Sequence, residues 1–243
     1  MVTINQEFEE NGFIIQEKAL DDDEISELKD KLDTVYSQVI ANVGADPKSF
    51  HSLEERYAFL HDVHPEMKSR AYDLTKLLDV LWKCAVKEKI IGTIRSIIGN
   101  EVLIGAPQVR IDDPKNERLL PLHQEGLRQI SDNTITAWIP LQDVNPEVGT
   151  LAIEAQSHKR GYLPGKCYAD RNNYYGVCEE HLNPDKVELL EISKGDAVIF
   201  HPRLIHGSAR NPSTTTRWTF VARYNDITNI PYIQDLKAPL QPE

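Results

Sequence analysis

Hydrophobic and polar positions along this chain follow two different rhythms. Up to about residue 100 the rhythm is helical. After Leu20, the residues Ile25, Leu28, Leu32, Val35 and Val39 recur at steps of three and four, which lays one apolar stripe along a helix. Asp21, Asp22 and Asp23 supply a cap and negative charge at its positive end, and Gly44 can stop it. A second helix is predicted from Pro65, with Met67, Ala71, Leu74, Leu78 and Leu81 on one face. A third carries Ile90, Ile91, Ile94, Ile97 and Ile98 and ends at Gly99.

From Glu101 onward the runs shorten and favour β-branched and aromatic residues. Strands are predicted over Val102–Ile111, Thr134–Leu141, Thr150–Glu154, Val187–Ile192, Ala197–His201 and Thr216–Tyr224. Turn clusters such as Asp112–Asp113–Pro114 and Ser193–Lys194–Gly195–Asp196 separate them. There is no repeat, low-complexity tract or Gly/Ser linker. The expectation is one domain over residues 1–243: a mainly β protein in which helices of residues 1–100 support a double-sheet jelly roll over residues 101–243.

The chain is 243 residues long, enough to bury a full core without disulfides or a structural metal. Against 27 Lys and Arg stand 38 Asp and Glu, a net charge of −11 that disfavours nucleic acid as a partner. No apolar run reaches membrane-spanning length, and the acidic N-terminus does not resemble a signal peptide. The 3 cysteines, Cys84, Cys167 and Cys178, form no CxxC pair, which suits a reducing compartment. A cytoplasmic, soluble protein is expected.

Glycine-rich phosphate loops and the GxSxG elbow are absent. Histidine and carboxylate remain. With 8 His among 38 acidic residues, about one His-x-[Asp/Glu] pair should arise by chance. The chain has two. In His64-Pro65-Glu66 the proline and glutamate fit the first turn of a helix, which explains that pair without chemistry. His123-Gln124-Glu125 lies on an extended segment, where residues i and i+2 share a face and could offer an imidazole and a carboxylate to one metal. His206 is the best candidate third ligand. Two His and one carboxylate form the facial triad suited to non-heme ferrous iron, with positions left open.

Such a site needs a two-electron donor, usually 2-oxoglutarate, whose far carboxylate requires a fixed cation. Arg217 lies on the next strand-like run, and its planar fork can meet a carboxylate at two points. Ser208 shares the face of His206 and could donate to the same group. His201, His158, His51, His61 and His181 have no comparable pattern.

These blocks, in this order, resemble the phytanoyl-CoA dioxygenase-like iron/2-oxoglutarate oxygenases. The resemblance runs from Glu10-Asn11-Gly12-Phe13-Ile14-Ile15 through LPLHQEG, AWIPLQD (137–143), Gly149-Thr150-Leu151 and Gln156-Ser157-His158 to KGDAVIF (194–200), then His206-Gly207-Ser208 and Arg217. It implies a double-stranded β-helix, iron(II) held by His123, Glu125 and His206, and 2-oxoglutarate held by Arg217 and Ser208. Dioxygen would be the second co-substrate, succinate and carbon dioxide would be released, and a C–H bond of a small polar metabolite would be oxidised.

Gln108-Val109-Arg110-Ile111-Asp112 is similar to a segment of the ectoine hydroxylase branch. That likeness puts Gln108 on 2-oxoglutarate and Arg110 near an anionic substrate group. Trp138 could wall the pocket. Two departures stand out. Glu125 replaces the usual Asp, and Gln156 stands where Gly commonly precedes Ser-His. The loops 44–64, 126–133 and 162–184, with Arg56, Tyr57, Arg128, Tyr168, Arg171, Tyr174 and Tyr175, are expected to shape the substrate pocket. A cupin-like metal-dependent isomerase or hydrolase, and a catalytically silent jelly roll that binds a ligand, stay open as alternatives.

Overall fold

The computed structural model describes residues 3–114, 120–125, 134–169 and 174–226. The expected residues 126–133, with Arg128, and Arg171 lie outside these.

The helices form where their caps and stripes dictate. Helix α1 (Ile4–Asn11) and helix α2 (Asp22–Asn42) each begin with a capping box, Thr3 with Gln6 and Asp21 with Glu24. The apolar stripe of α2 buries Ile25, Leu28, Leu32, Tyr36, Val39 and Ile40. Val35 sits at its edge and Tyr36 takes the deeper position. Helix α3 (Leu53–Val63) occupies much of the expected 44–64 loop, and α4 (Pro65–Thr75) starts on its proline as predicted.

The second predicted stripe is not one helix. The chain leaves α4 after Thr75, whose hydroxyl donates back to the Tyr72 carbonyl, and restarts as α5 (Asp79–Ala85). Tight turns at Leu77 and Leu78 break the phase, so Leu74 and Leu77 face outward, 47% and 80% exposed. Helix α6 (Glu88–Ile98) ends at Gly99 as expected.

Ten strands are formed among the described residues. They are β1 (Phe13–Gln16), β2 (Val102–Asp112), β3 (Ile135–Pro140), β4 (Leu151–Glu154), β5 (Gly165–Tyr168), β6 (Tyr174–Val177), β7 (Val187–Leu189), β8 (Ala197–Phe200), β9 (Ile205–Ser208) and β10 (Arg217–Asp226). The large sheet has the order β1-β8-β3-β10-β2, and the small one β7-β4-β9. Strands β5 and β6 pair with each other. The Val177 amide donates to the Leu122 carbonyl, while His123 bridges His206, so this hairpin continues the small sheet through the 122–123 segment. Strand β1 was not expected in the helical part. It closes the edge of the large sheet against β8.

The large sheet separates two cores. Its outer face, with Val109, Ile135, Ala137, Ile139, Ile199, Trp218, Phe220 and Tyr224, packs on the helices. Its inner face, with Trp138, Val198, Phe200 and Val221, meets Leu151 and Ile153 of the small sheet. Because side chains alternate along a strand, one register decision on each strand sends every second residue to the helices and the others to the space between the sheets. Two backbone positions make this closure possible. Gly195 has φ +86°, and a Cβ there would meet the Leu20 carbonyl at 2.3 Å. Gln156 has φ +63°, which explains why glycine is commonly found at that place, and its amide donates to Glu10.

Leu28 is fully buried in the helical core, away from the space between the sheets. The change Leu28→Ala is expected to cost about 2–5 kcal/mol. Urea unfolding followed by circular dichroism should show the loss, while metal binding at low temperature should persist.

Candidate metal centre

The space between the two sheets holds a polar cluster that the apolar cores leave room for. His206 projects inward from β9, opposite Ile153 of β4. His123 sits beside it through an antiparallel bridge in which each amide donates to the other residue's carbonyl, at 2.9 and 3.0 Å. The two rings lie 4.4 Å apart, centre to centre. Glu125 follows two residues later, its amide donating to the Pro202 carbonyl at 2.8 Å. Ligand atoms of His123, Glu125 and His206 all lie within 4.8 Å of one another, and all three residues are buried. His206 Nε2 and Glu125 Oε1 are 3.6 Å apart.

Each imidazole is held in a defined role. Nδ1 of His123 lies 2.8 Å from the Pro121 carbonyl, and Nδ1 of His206 lies 2.9 Å from the Leu204 carbonyl. A carbonyl only accepts, so each Nδ1 carries the proton and each Nε2 presents a lone pair to the cluster. Gln124, between the two predicted ligands, turns the opposite way. Its amide donates to the Gly161 and Arg203 carbonyls and accepts from the Leu163 amide, which staples the His-x-Glu segment to the scaffold.

Electrostatics favour the metal-ready protonation states. Burial, with a smaller push from His206, lowers the His123 imidazole to about 3. Burial alone would raise the Glu125 carboxyl. The charge and paired hydrogen bonds of Arg223 overcome it and hold Glu125 well below the usual carboxylate range. Arg223 grips both oxygens of Glu125, through Nε at 3.1 Å and Nη2 at 2.9 Å. Sequence reasoning missed this arginine, although its even spacing from Arg217 along β10 places both on one face.

Arg217 is 0% exposed. Its Nη2 donates to Ser208 Oγ at 3.2 Å and pairs with the Asp112 carboxylate at 2.7 Å. Its Nε and Nη1 are buried and have no hydrogen-bond partner among the described residues. The guanidinium lies 5.7 Å from the Trp138 ring. Buried unpaired donors are costly, so this half-satisfied fork is suited to a carboxylate ligand.

A narrow cavity of about 20 Å³ lies at the cluster, lined by the three residues together with Ser208, Trp138, Thr136, Phe200, Val221, Arg223 and Arg110, and Arg217 reaches it through Ser208. The donor set and the unpaired arginine nitrogens fit iron(II) with a keto diacid.

The other predicted residues are placed as follows. Gln108 lies on β2 and accepts from the Tyr72 hydroxyl at 3.2 Å, outside the cavity lining. Tyr174 of β6 packs edge-on against His123, where Gly176 lets the hairpin approach Pro121. Tyr57 packs on Trp218 and reaches the outer side of β2, whereas Arg56 pairs with Asp33 away from the site. His158 and His201 stack together under α1, apart from the cluster. His61 has a partner that its sequence context does not announce, Asp113 at 2.5 Å.

The family Phytanoyl-CoA dioxygenase (PhyH) matches residues 8–219, and the chain belongs to that family. It is 26% identical over 221 residues to the peroxisomal phytanoyl-CoA dioxygenase of Mus musculus, covering 84% of this chain. It spans about 62% of that relative's length. It is also 26% identical over 206 residues to a probable alpha-ketoglutarate-dependent hypophosphite dioxygenase of Stutzerimonas stutzeri, covering 70% of each. Among solved structures, the epimerase SnoN in complex with Fe3+, alpha ketoglutarate and nogalamycin RO superposes with a TM-score of 0.63 at 17% identity, over 93% of this chain and 83% of that one. That likeness bears on the fold, a double-stranded β-helix.

The His123 shift sets a pH dependence for the metal-free protein. Its folded value lies below the unfolded one, so the unfolded chain takes up a proton that the folded one refuses. Stability is therefore full above about 6.5 and falls as pH drops toward 3. A loss of about 2 kcal/mol by pH 5 is expected from this group. Urea midpoints measured at pH 7, 6 and 5 should fall more steeply in the native sequence than in His123→Asn.

Proposed function

We propose that the protein is an iron(II)- and 2-oxoglutarate-dependent oxygenase that oxidises a C–H bond of a small, polar, anionic metabolite. In this reading His123, Glu125 and His206 bind the iron. Arg217, with Ser208, receives the far carboxylate of 2-oxoglutarate. The single observation that carries it is a buried cluster of two oriented imidazoles and a carboxylate in a cavity lined by Ser208, which in turn accepts from an arginine whose Nε and Nη1 lack partners among the described residues. Bound there, iron and 2-oxoglutarate supply oxidising power from dioxygen, with release of succinate and carbon dioxide.

The chain's own residues contribute position and exclusion. The Nδ1–carbonyl bonds keep both Nε2 lone pairs aimed inward. Arg223 fixes the longer Glu125 side chain, which offsets the extra methylene relative to Asp. Trp138, Phe200, Leu151 and Val221 line the cavity and keep water from competing for it. Gln108, tied through its carbonyl to Tyr72, keeps its amide NH2 for the co-substrate. Helices and sheets act as one domain, which the shared helix–sheet core supports. No described helix is long and apolar enough to cross a membrane. We place the protein in the cytoplasm because its three cysteines are free and dispersed.

Anaerobic addition of ferrous iron and then 2-oxoglutarate should give a visible iron–keto-acid absorption band. In Arg217→Ala, losing two charge-assisted hydrogen bonds should weaken 2-oxoglutarate about 100-fold. A colourless sample, or an Arg217→Ala protein with unchanged affinity, would favour the cupin-like metal chemistry or a silent binding module.

A further inference from the structure

Beyond the metal cavity, a second and larger hollow of about 360 Å³ opens between α4 and the edge strand β2. Lys68 and Lys76 of the α4 side and Arg110 of β2 line it, with Asp73 as the single carboxylate among its lining residues. The lining therefore carries three positive charges and one negative, on a chain whose net charge is −11. Chance placement on so acidic a surface would give the opposite sign.

The cations are not spent on structural pairs. Among the described residues, neither Lys68 nor Arg110 has a hydrogen bond or ion pair. Lys76 lies 4.4 Å from the Tyr72 ring centre and 2.8 Å from Asp73, but that pair is exposed and contributes little. Lys68 and Tyr72 stand four residues apart on α4, and Lys76, its C-cap, follows Tyr72 by four in a helical conformation, so the three share one face.

Arg110 links the two spaces. It lines the metal cavity as well as the outer hollow, and on β2 it points inward with Gln108 and Asp112. A ligand whose anionic group rests among Lys68, Lys76 and Arg110 would extend past Arg110 toward the metal ligands.

We propose that this hollow is the substrate's anion subsite, and that the substrate is an organic acid or phosphate ester whose charged group is set apart from the oxidised C–H bond. The inference rests on the oxygenase reading for the word substrate, but the subsite itself can be tested without iron or turnover. Arg217 and the α4 subsite would then receive different anions, so co-substrate and substrate need not compete.

The test uses the full-length metal-free protein, labelled for amide NMR and titrated at constant ionic strength with inorganic phosphate and, separately, acetate. The amides of residues 65–76 and those flanking Arg110 should shift saturably with at least one of these anions. Phosphate binding much tighter than acetate assigns the phosphate ester, and comparable binding assigns the carboxylic acid. Lys68→Ala should weaken binding about tenfold, and the Lys68→Ala/Lys76→Ala pair further. Both variants should still give the iron–2-oxoglutarate band, so loss of anion binding alone separates this subsite from the oxygenase reading. No saturable shift with either anion, or equal affinity in the double variant, would overturn the proposal.

Discussion

The reciprocal backbone bridge between residues 123 and 206 is the contact on which the site depends. It joins a short extended segment to the free edge of the small sheet, and it does so in one register. Shifting that register by a single residue would turn one imidazole to the opposite face and leave Glu125 without its opening toward Arg223. The neighbouring hairpin of β5 and β6 and the Gln124 side chain resist such a shift from two sides. Local metal chemistry therefore rests on sheet pairing, with the imidazole Nδ1 bonds adding only the final rotation of each ring.

A second constraint follows from putting several arginines between two sheets. A guanidinium stays charged under all ordinary conditions, so burying it requires fixed partners. Glu125 serves Arg223 and Asp112 serves Arg217, and both pairings run across the sandwich or between adjacent strands. Arg217 differs in keeping two nitrogens unspent. Its neighbours on β10, Trp218 and Phe220, face the helical core, and this anchors the strand that carries the charge. The helices matter to the site in this sense: they hold the outer face of the sheet whose inner face does the recognising.

Much of this was legible in the sequence. Short β-rich runs between turn clusters located six of the ten described strands, and caps located the long helices. The spacing of His123, Glu125, His206, Ser208 and Arg217 marked groups that the fold brings together. What escaped has physical reasons. Strands β5, β6 and β9 carry Gly165, Lys166, Gly176, His206, Gly207 and Ser208 in place of β-branched runs, and β1 lies in a helical stretch, nearly 190 residues from its partner β8. The run from Met67 to Leu81 kept an apolar period across a real break, since turn hydrogen bonds at Leu77 and Leu78 leave no trace in hydrophobicity. Arg223 and Gln124 were overlooked because their importance lies in what they touch, Glu125 in one case and three backbone groups in the other. The outer hollow was invisible for the same reason, as it joins a helix face to a strand more than thirty residues further on.

Strand β2 shows how tightly such a protein is bound in its future changes. Val109 and Ile111 pack with the helical core, while Gln108, Arg110 and Asp112, interleaved with them, face the other way, and Arg110 lines the pocket. An inserted or deleted codon there would exchange the two sets at once, burying charge and exposing oil. New ligand preferences must therefore arise by replacement at alternate positions of this strand or along the facing side of α4, where a helix face can be rewritten without disturbing the sandwich beneath it.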